Sequence, residues 1–155
     1  MIKAIYFDLF FILIVPTYEK TNNEYNILNL SVSEWEQYAE NDMLYHERTL
    51  GSVKTEIEII DKIMSLMPFE VSVVQKVQVL FAREQRMKKA LKMVSKEILD
   101  TLQKLKLKDI KLGLISNADC IDCKYWNQSP LFRCFNDSVF SCNVGLLKPE
   151  MNMLF

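Results

Sequence analysis

Glycine, histidine and charge of one sign are all scarce in this 155-residue sequence, and each shortage excludes something. Gly51, Gly113 and Gly145 are the only glycines, against a usual share of about 7%, too few for the many turns of an all-β fold. The only histidine, His46, stands in the charged stretch YHER. It reads as solvated, and a Ser-His-Asp triad has no candidate. With 19 basic and 20 acidic residues the formal charge is -1, which gives neither nucleic acid nor an anionic membrane surface an electrostatic foothold. The expected partner is a small molecule, with no nucleic acid and no membrane. No apolar run reaches the roughly 18 residues of a membrane span. Lys3 ahead of an apolar segment imitates a secretory signal, but Asp8 interrupts it and PTYEKTNN offers no small-residue cleavage site. The expected location is the cytoplasm, with the four cysteines reduced.

What is present is a globular composition, 50% hydrophobic and 25% charged, of about one domain. The run IYFDLFFILI holds one carboxylate, Asp8. An ionised carboxylate withdrawn from water costs several kcal/mol unless it is paired, so Asp8 either ends a strand or has a task. The segment Ile2 to Ile14 reads as a strand buried on both faces of a parallel sheet. With the strand proper over about Lys3 to Phe7, Asp8 stands at its carboxyl end, where open α/β sheets bind ligands.

From Thr17 to about Leu107 the pattern turns helical, with apolar or aromatic registers at Trp35, Tyr38, Asp42 and Tyr45; at Ile57, Ile60, Met64 and Met67; at Val73, Val77, Leu80 and Phe81; and at Ile98, Leu99, Leu102 and Leu105. Four or five helices are expected, with Ser33 as an N-cap and Gly51 and Pro68 as punctuation. Met64, Met67, Met87 and Met93 are expected to pack helix on helix, and Arg83 to Lys89 to form a solvated face. Strand texture returns in KLGLISNAD, where Leu112 to Ile115 leads into Ser116 and Asn117, a candidate turn and cap with Asp119 in the first helical turn. It returns again in SVFSCNVGLLKPE, where Val139 and Phe140 precede Lys148. Cys120 and Cys123 have the C-x-x-C spacing of zinc and redox sites, but Cys134 and Cys142 lack knuckle-like spacing. Reduced, half-buried thiols are expected.

Three strand ends thus deliver a carboxylate, a hydroxyl with an amide, and a lysine, a set suited to nucleophilic catalysis on an electrophile with anionic oxygens. The segments FDLFFILI, LISN and GLLKPE, in that order and separated by a long helical insert, resemble the first three motifs of the haloacid dehalogenase (HAD) superfamily of hydrolases. The resemblance implies an α/β fold, a Rossmann-like partial parallel sheet with an inserted all-helical cap. Residues 1–14 and 108–155 would form the core, and residues 15–107 the cap and a connecting helix. It implies Asp8 as the nucleophile that forms an aspartyl intermediate, Lys148 as its charge partner and Ser116 and Asn117 as group-binding residues. It also implies magnesium as a cofactor, with Asp8 among its ligands, and a phosphate ester as the default substrate.

Three departures qualify the resemblance. Phe10 stands where phosphate-transferring members carry a second aspartate as general acid/base, and phenylalanine moves no proton. Dehalogenating members often have an aromatic residue there, so Phe10 reads as substrate-binding and tilts the expectation toward a 2-haloacid. Phe11-Ile12 replaces the usual Gly-Thr, exchanging a backbone-permissive residue for a bulky one. The acidic fourth motif that helps bind magnesium is not found in the sequence, so the chain is expected to be the N-terminal portion of a hydrolase. The competing expectation is a catalytically inactive remnant that serves as a binding or interaction module. Substrate identity and oligomeric state stay open.

Overall fold

The structure, a computed structural model, describes residues 2–149. Strands β1 (Ala4–Phe7), β2 (Lys111–Ser116) and β3 (Asp137–Phe140) form one parallel sheet in that order. Register places Phe7 beside Leu114 and Ser116 beside Phe140, so the three carboxyl ends lie along one edge. Parallel pairing demands long crossovers. Between β1 and β2 run α1 (Glu24–Ile27), α2 (Val32–Ala39), α3 (Asp42–Thr49), α4 (Glu56–Ser65), α5 (Val73–Lys92) and α6 (Lys96–Lys106). Between β2 and β3 run α7 (Cys120–Cys123) and two 3₁₀ turns, and α8 (Ser141–Val144) follows β3.

The central strand β2 is buried from Leu112 to Ser116, as a near-continuous apolar run in a parallel sheet requires. Gly113 lets the strand pass beneath a ring, since a Cβ there would lie 2.4 Å from two ring carbons of Tyr6. β1 departs from the expected burial on both faces: Ala4 and Tyr6 are exposed while Ile5 and Phe7 are half-buried. Nor does the apolar run continue as strand. The amides of Leu13 and Ile14 donate to the Leu9 carbonyl at 2.9 and 3.1 Å, and that of Phe11 to the Ile14 carbonyl at 2.8 Å. This compact turn buries Leu9, Leu13 and Ile14 and leaves Phe11 and Ile12 outside.

Between the first two strands there are six helices rather than four or five; the short α1 is held at its start by Asn26, whose Oδ1 accepts from the Asn23 amide at 3.1 Å and whose amide donates to the Asn23 carbonyl at 3.1 Å. The register through Trp35, Tyr38, Asp42 and Tyr45 spans a break, with Asn41 capping α3. Ser31, not Ser33, caps α2: its Oγ accepts from the Glu34 amide at 3.2 Å and the Glu34 carboxylate accepts from the Ser31 amide at 2.8 Å. That reciprocal pair satisfies two otherwise orphaned donors. α5 turns inward on Val79, Arg83, Met87, Ala90 and Leu91, so Val73, Val77 and Phe81 are exposed and the expected face is corrected. Met64, Met67 and Met87 are buried, but Met93 lies 71% exposed beyond the end of α5.

Two hydrophobic clusters result. One joins the sheet to α6 through Leu9, Leu112, Leu114, Leu102, Trp126 and Phe140, and the other joins the inserted helices through Trp35, Leu44, Ile59, Ile60, Ile63 and Val79. α5 belongs to both, with Val79 in the second and Ala90 and Leu91 in the first. No described helix is long and apolar enough to cross a membrane.

Candidate active site

Asp8 follows β1 directly, and its two oxygens are separately held. Oδ1 accepts from the Leu9 amide at 2.8 Å, and Oδ2 meets Lys148 Nζ at 2.6 Å. The carboxylate stays about half exposed, at 44%, so the ion pair does not close it off. Lys148 is held by its backbone: its amide donates to Asn117 Oδ1 at 2.9 Å and its carbonyl accepts from Asn117 Nδ2 at 3.4 Å. Asn117, one residue past β2, thus fixes the loop that brings the lysine across to β1. Ser116 is fully buried and its Oγ has no partner among the described residues. It does not line the cavity over the strand ends and pairs with Phe140 in the sheet.

A cavity of about 720 Å³ opens over these strand ends, with Asp8, Phe10, Asn117 and Lys148 in its lining. Of the residues singled out from the sequence, those four come together there and Ser116 does not. The opposite wall comes from the helical insert: Tyr18, Tyr45, Arg48, Arg83, Arg86 and Met87. Burial pushes the phenols of Tyr18 and Tyr45 above the ordinary tyrosine range. Arg86 lies 4.5 Å from the Tyr18 ring centroid and pairs with buried Glu24 at 2.7 Å.

Beneath this wall sits a buried charge network. Asp119 Oδ2 receives Arg48 at 2.5 Å and Arg83 at 2.9 Å, and Asp122 receives Arg83 at 3.2 Å. Arg48 also reaches Glu40 at 2.7 Å. Burial opposes ionisation of Asp119, but Arg83 and Arg48 outweigh it and hold the carboxyl below its ordinary range. Burial and the neighbouring Asp119 push Asp122 up. Burial works against the charge of Arg83, yet Asp119 and Asp122 prevail and raise its pKa. Asp119 also caps α7, accepting from the amides of Ile121 and Asp122 at 2.9 and 3.0 Å. It is the cap itself rather than a first-turn residue, and in the stretch Arg83 to Lys89 Arg83 and Met87 turn inward while Gln85 and Lys89 stay exposed, which corrects the expected solvated face.

Among the described residues no three His, Cys, Asp or Glu side chains gather as metal ligands would. At the strand ends Asp8 offers one carboxylate, and one of its oxygens is already engaged by an ammonium group. Magnesium keeps several waters but is anchored by carboxylates. This donor set does not fit the ion.

No protein-family model matches the sequence, and no curated protein matches it. Solved structures do match in fold. A HAD family enzyme from Bacteroides thetaiotaomicron, in complex with magnesium and inorganic phosphate, aligns at a TM-score of 0.68 and 22% identity over 97% of this chain and 74% of that one. The magnesium complex of the same enzyme gives a TM-score of 0.68 and 22% identity over 99% and 74%. A HAD-like family hydrolase from Porphyromonas gingivalis gives 0.66 and 21% over 99% and 73%. The chain therefore has a HAD-like α/β fold, which agrees with the motif order in the sequence.

Proposed function

We propose that the chain is a HAD-like hydrolase in which Asp8 attacks a small anionic substrate held in the strand-end cavity. The observation that carries this reading is the 2.6 Å pair of Asp8 with Lys148 on a half-exposed carboxylate, across the ends of a parallel sheet of that fold. A carboxylate nucleophile is useful only if it stays charged, positioned and reachable. The Leu9 amide and the lysine orient it, Asn117 holds the lysine, and the cavity gives access. Lys148 also offsets negative charge that gathers around the attacked centre.

Phe10 favours a 2-haloacid. A carboxylate oxygen of Asp8 displaces halide from the substrate carbon, and the halide leaves with the bonding electron pair. Water then attacks the resulting ester's carbonyl carbon, releasing the hydroxy acid and a proton and restoring Asp8. Halide needs no proton to depart, so a phenylalanine two residues after the nucleophile is sufficient. The second reading, phosphate ester hydrolysis, is supported by the likeness to an enzyme whose structure holds magnesium and inorganic phosphate.

The test is release of halide from 2-haloacids and of phosphate from an aryl phosphate, with and without magnesium. Asp8→Asn keeps the shape of the side chain and removes the nucleophile, and is expected to lower turnover by about 10³-fold or more. Lys148→Ala is expected to cost about 10²-fold. Unchanged turnover in Asp8→Asn would overturn the mechanism. Silence on every substrate from a folded chain would leave the enzyme reading as ancestry, without establishing a binding role.

A further inference from the structure

The C-x-x-C pair is not the pair that meets. Cys123, at the end of α7, and Cys142, in α8, bring their Sγ atoms to 3.9 Å across the crossover between β2 and β3. Their approach is fixed by the backbone. The Ala118 amide donates to Ser141 Oγ at 2.9 Å, Ser141 Oγ donates back to the Ala118 carbonyl at 3.2 Å, and the Cys142 amide donates to that same carbonyl at 3.3 Å. These bonds stitch the start of α7 to the start of α8. On its other side α8 is backed by the end of α3, where a Cβ on Gly51 would meet the Cys142 carbonyl oxygen at 2.2 Å. Both thiols are half-buried rather than sealed, and the hydrogen bond between them favours the thiolate of Cys142.

We propose that Cys123 and Cys142 are a reversible disulfide site, oxidised by a small dialkyl disulfide such as glutathione disulfide. The Cys142 thiolate attacks one sulfur of the oxidant, and the first small thiolate departs with the bonding pair. Cys123, deprotonated, then attacks the protein-bound sulfur of the mixed disulfide and expels the second small thiolate. The two cysteines lose two electrons and two protons, and the small disulfide takes them up as two thiols. The bridge would tie α7, which carries Asp119 and Asp122, to the element just before the Lys148 loop. It closes a loop in the unfolded chain between residues 123 and 142 and so stabilises the folded state.

The experiment incubates the full chain with millimolar glutathione disulfide and counts thiols after denaturation. The count is expected to fall from four to two, the intact mass to drop by two hydrogens, and Tm to rise by about 5–10 °C. Trypsin should then yield the peptide 112–124 joined to the peptide beginning at Cys134. Because each carries two cysteines, single variants assign the bond: Cys120→Ser and Cys134→Ser keep the cross-link, while Cys123→Ser and Cys142→Ser lose it. Four surviving thiols in the unmutated protein, or a cross-link that persists in Cys123→Ser, would overturn the proposal.

Discussion

Phe11 carries the clearest local cost in the chain. Its φ is +60°, in the left-handed region that penalises a Cβ by about 1–2 kcal/mol, and its ring is 77% exposed, so little packing offsets the strain. Phe11→Gly removes that strain and adds freedom to the unfolded chain. The expected net gain is about 0.5–1 kcal/mol, read from urea unfolding, and a loss would mean that the ring packs in a way its exposure does not show. This position was legible in the sequence, because a bulky residue stood where the resembling motif has glycine. Arg83 is buried although it opens a charged stretch. Val79, Arg83, Met87 and Leu91 recur every four residues, and three of the four are apolar, which marks one buried helical face. Helical spacing, not the local run of charges, decides which side of α5 is buried. Asp119, 36 residues away, could not be paired with it from one sequence.

Among the elements, α2 shows how a cap is decided. Two serines two residues apart both precede glutamates, and propensity alone does not choose between them. Both have a glutamate three residues on, Glu34 and Glu36, and the structure settles on Ser31, whose Oγ and amide bond Glu34 reciprocally while Trp35 turns into the core. Ser31→Ala is expected to cost about 1 kcal/mol and Ser33→Ala a few tenths at most, with both measured by chemical denaturation. Equal effects would refute the assignment. The strands were easier to locate than the helix faces, since β2 is a short apolar run ending in polar residues. The strand proper expected over about Lys3 to Phe7 agrees with β1 to within a residue, whereas the turn from Leu9 to Ile14 is as apolar as a strand and folds back through main-chain bonds that hydropathy does not encode.

Over the whole molecule, acid stability depends on the Arg48–Asp119–Arg83 network. The folded pKa of Asp119 is depressed, so its ionised form contributes stability above the unfolded value of about 3.9. That contribution is lost as pH falls through the lower folded value. Asp122 has the opposite sign: its folded pKa is raised, and taking up a proton relieves rather than weakens the fold. Asp119→Asn leaves two buried guanidinium groups short of charge and is expected to cost about 3–5 kcal/mol, together with a shallower decline of Tm between pH 5 and 2. Asp122→Asn is expected to cost less and to keep the acid decline, and the reverse order would contradict the network as described. The same network gives α5 a further property. The helix has 20 residues and is about 30 Å long. One end is rooted among sheet residues and the other among the inserted helices, with Arg83, Arg86 and Met87 over the cavity between them. Because the same rod packs in both clusters, a displacement of the wall it gives the cavity is also a displacement of Val79 in one cluster and of Ala90 and Leu91 in the other.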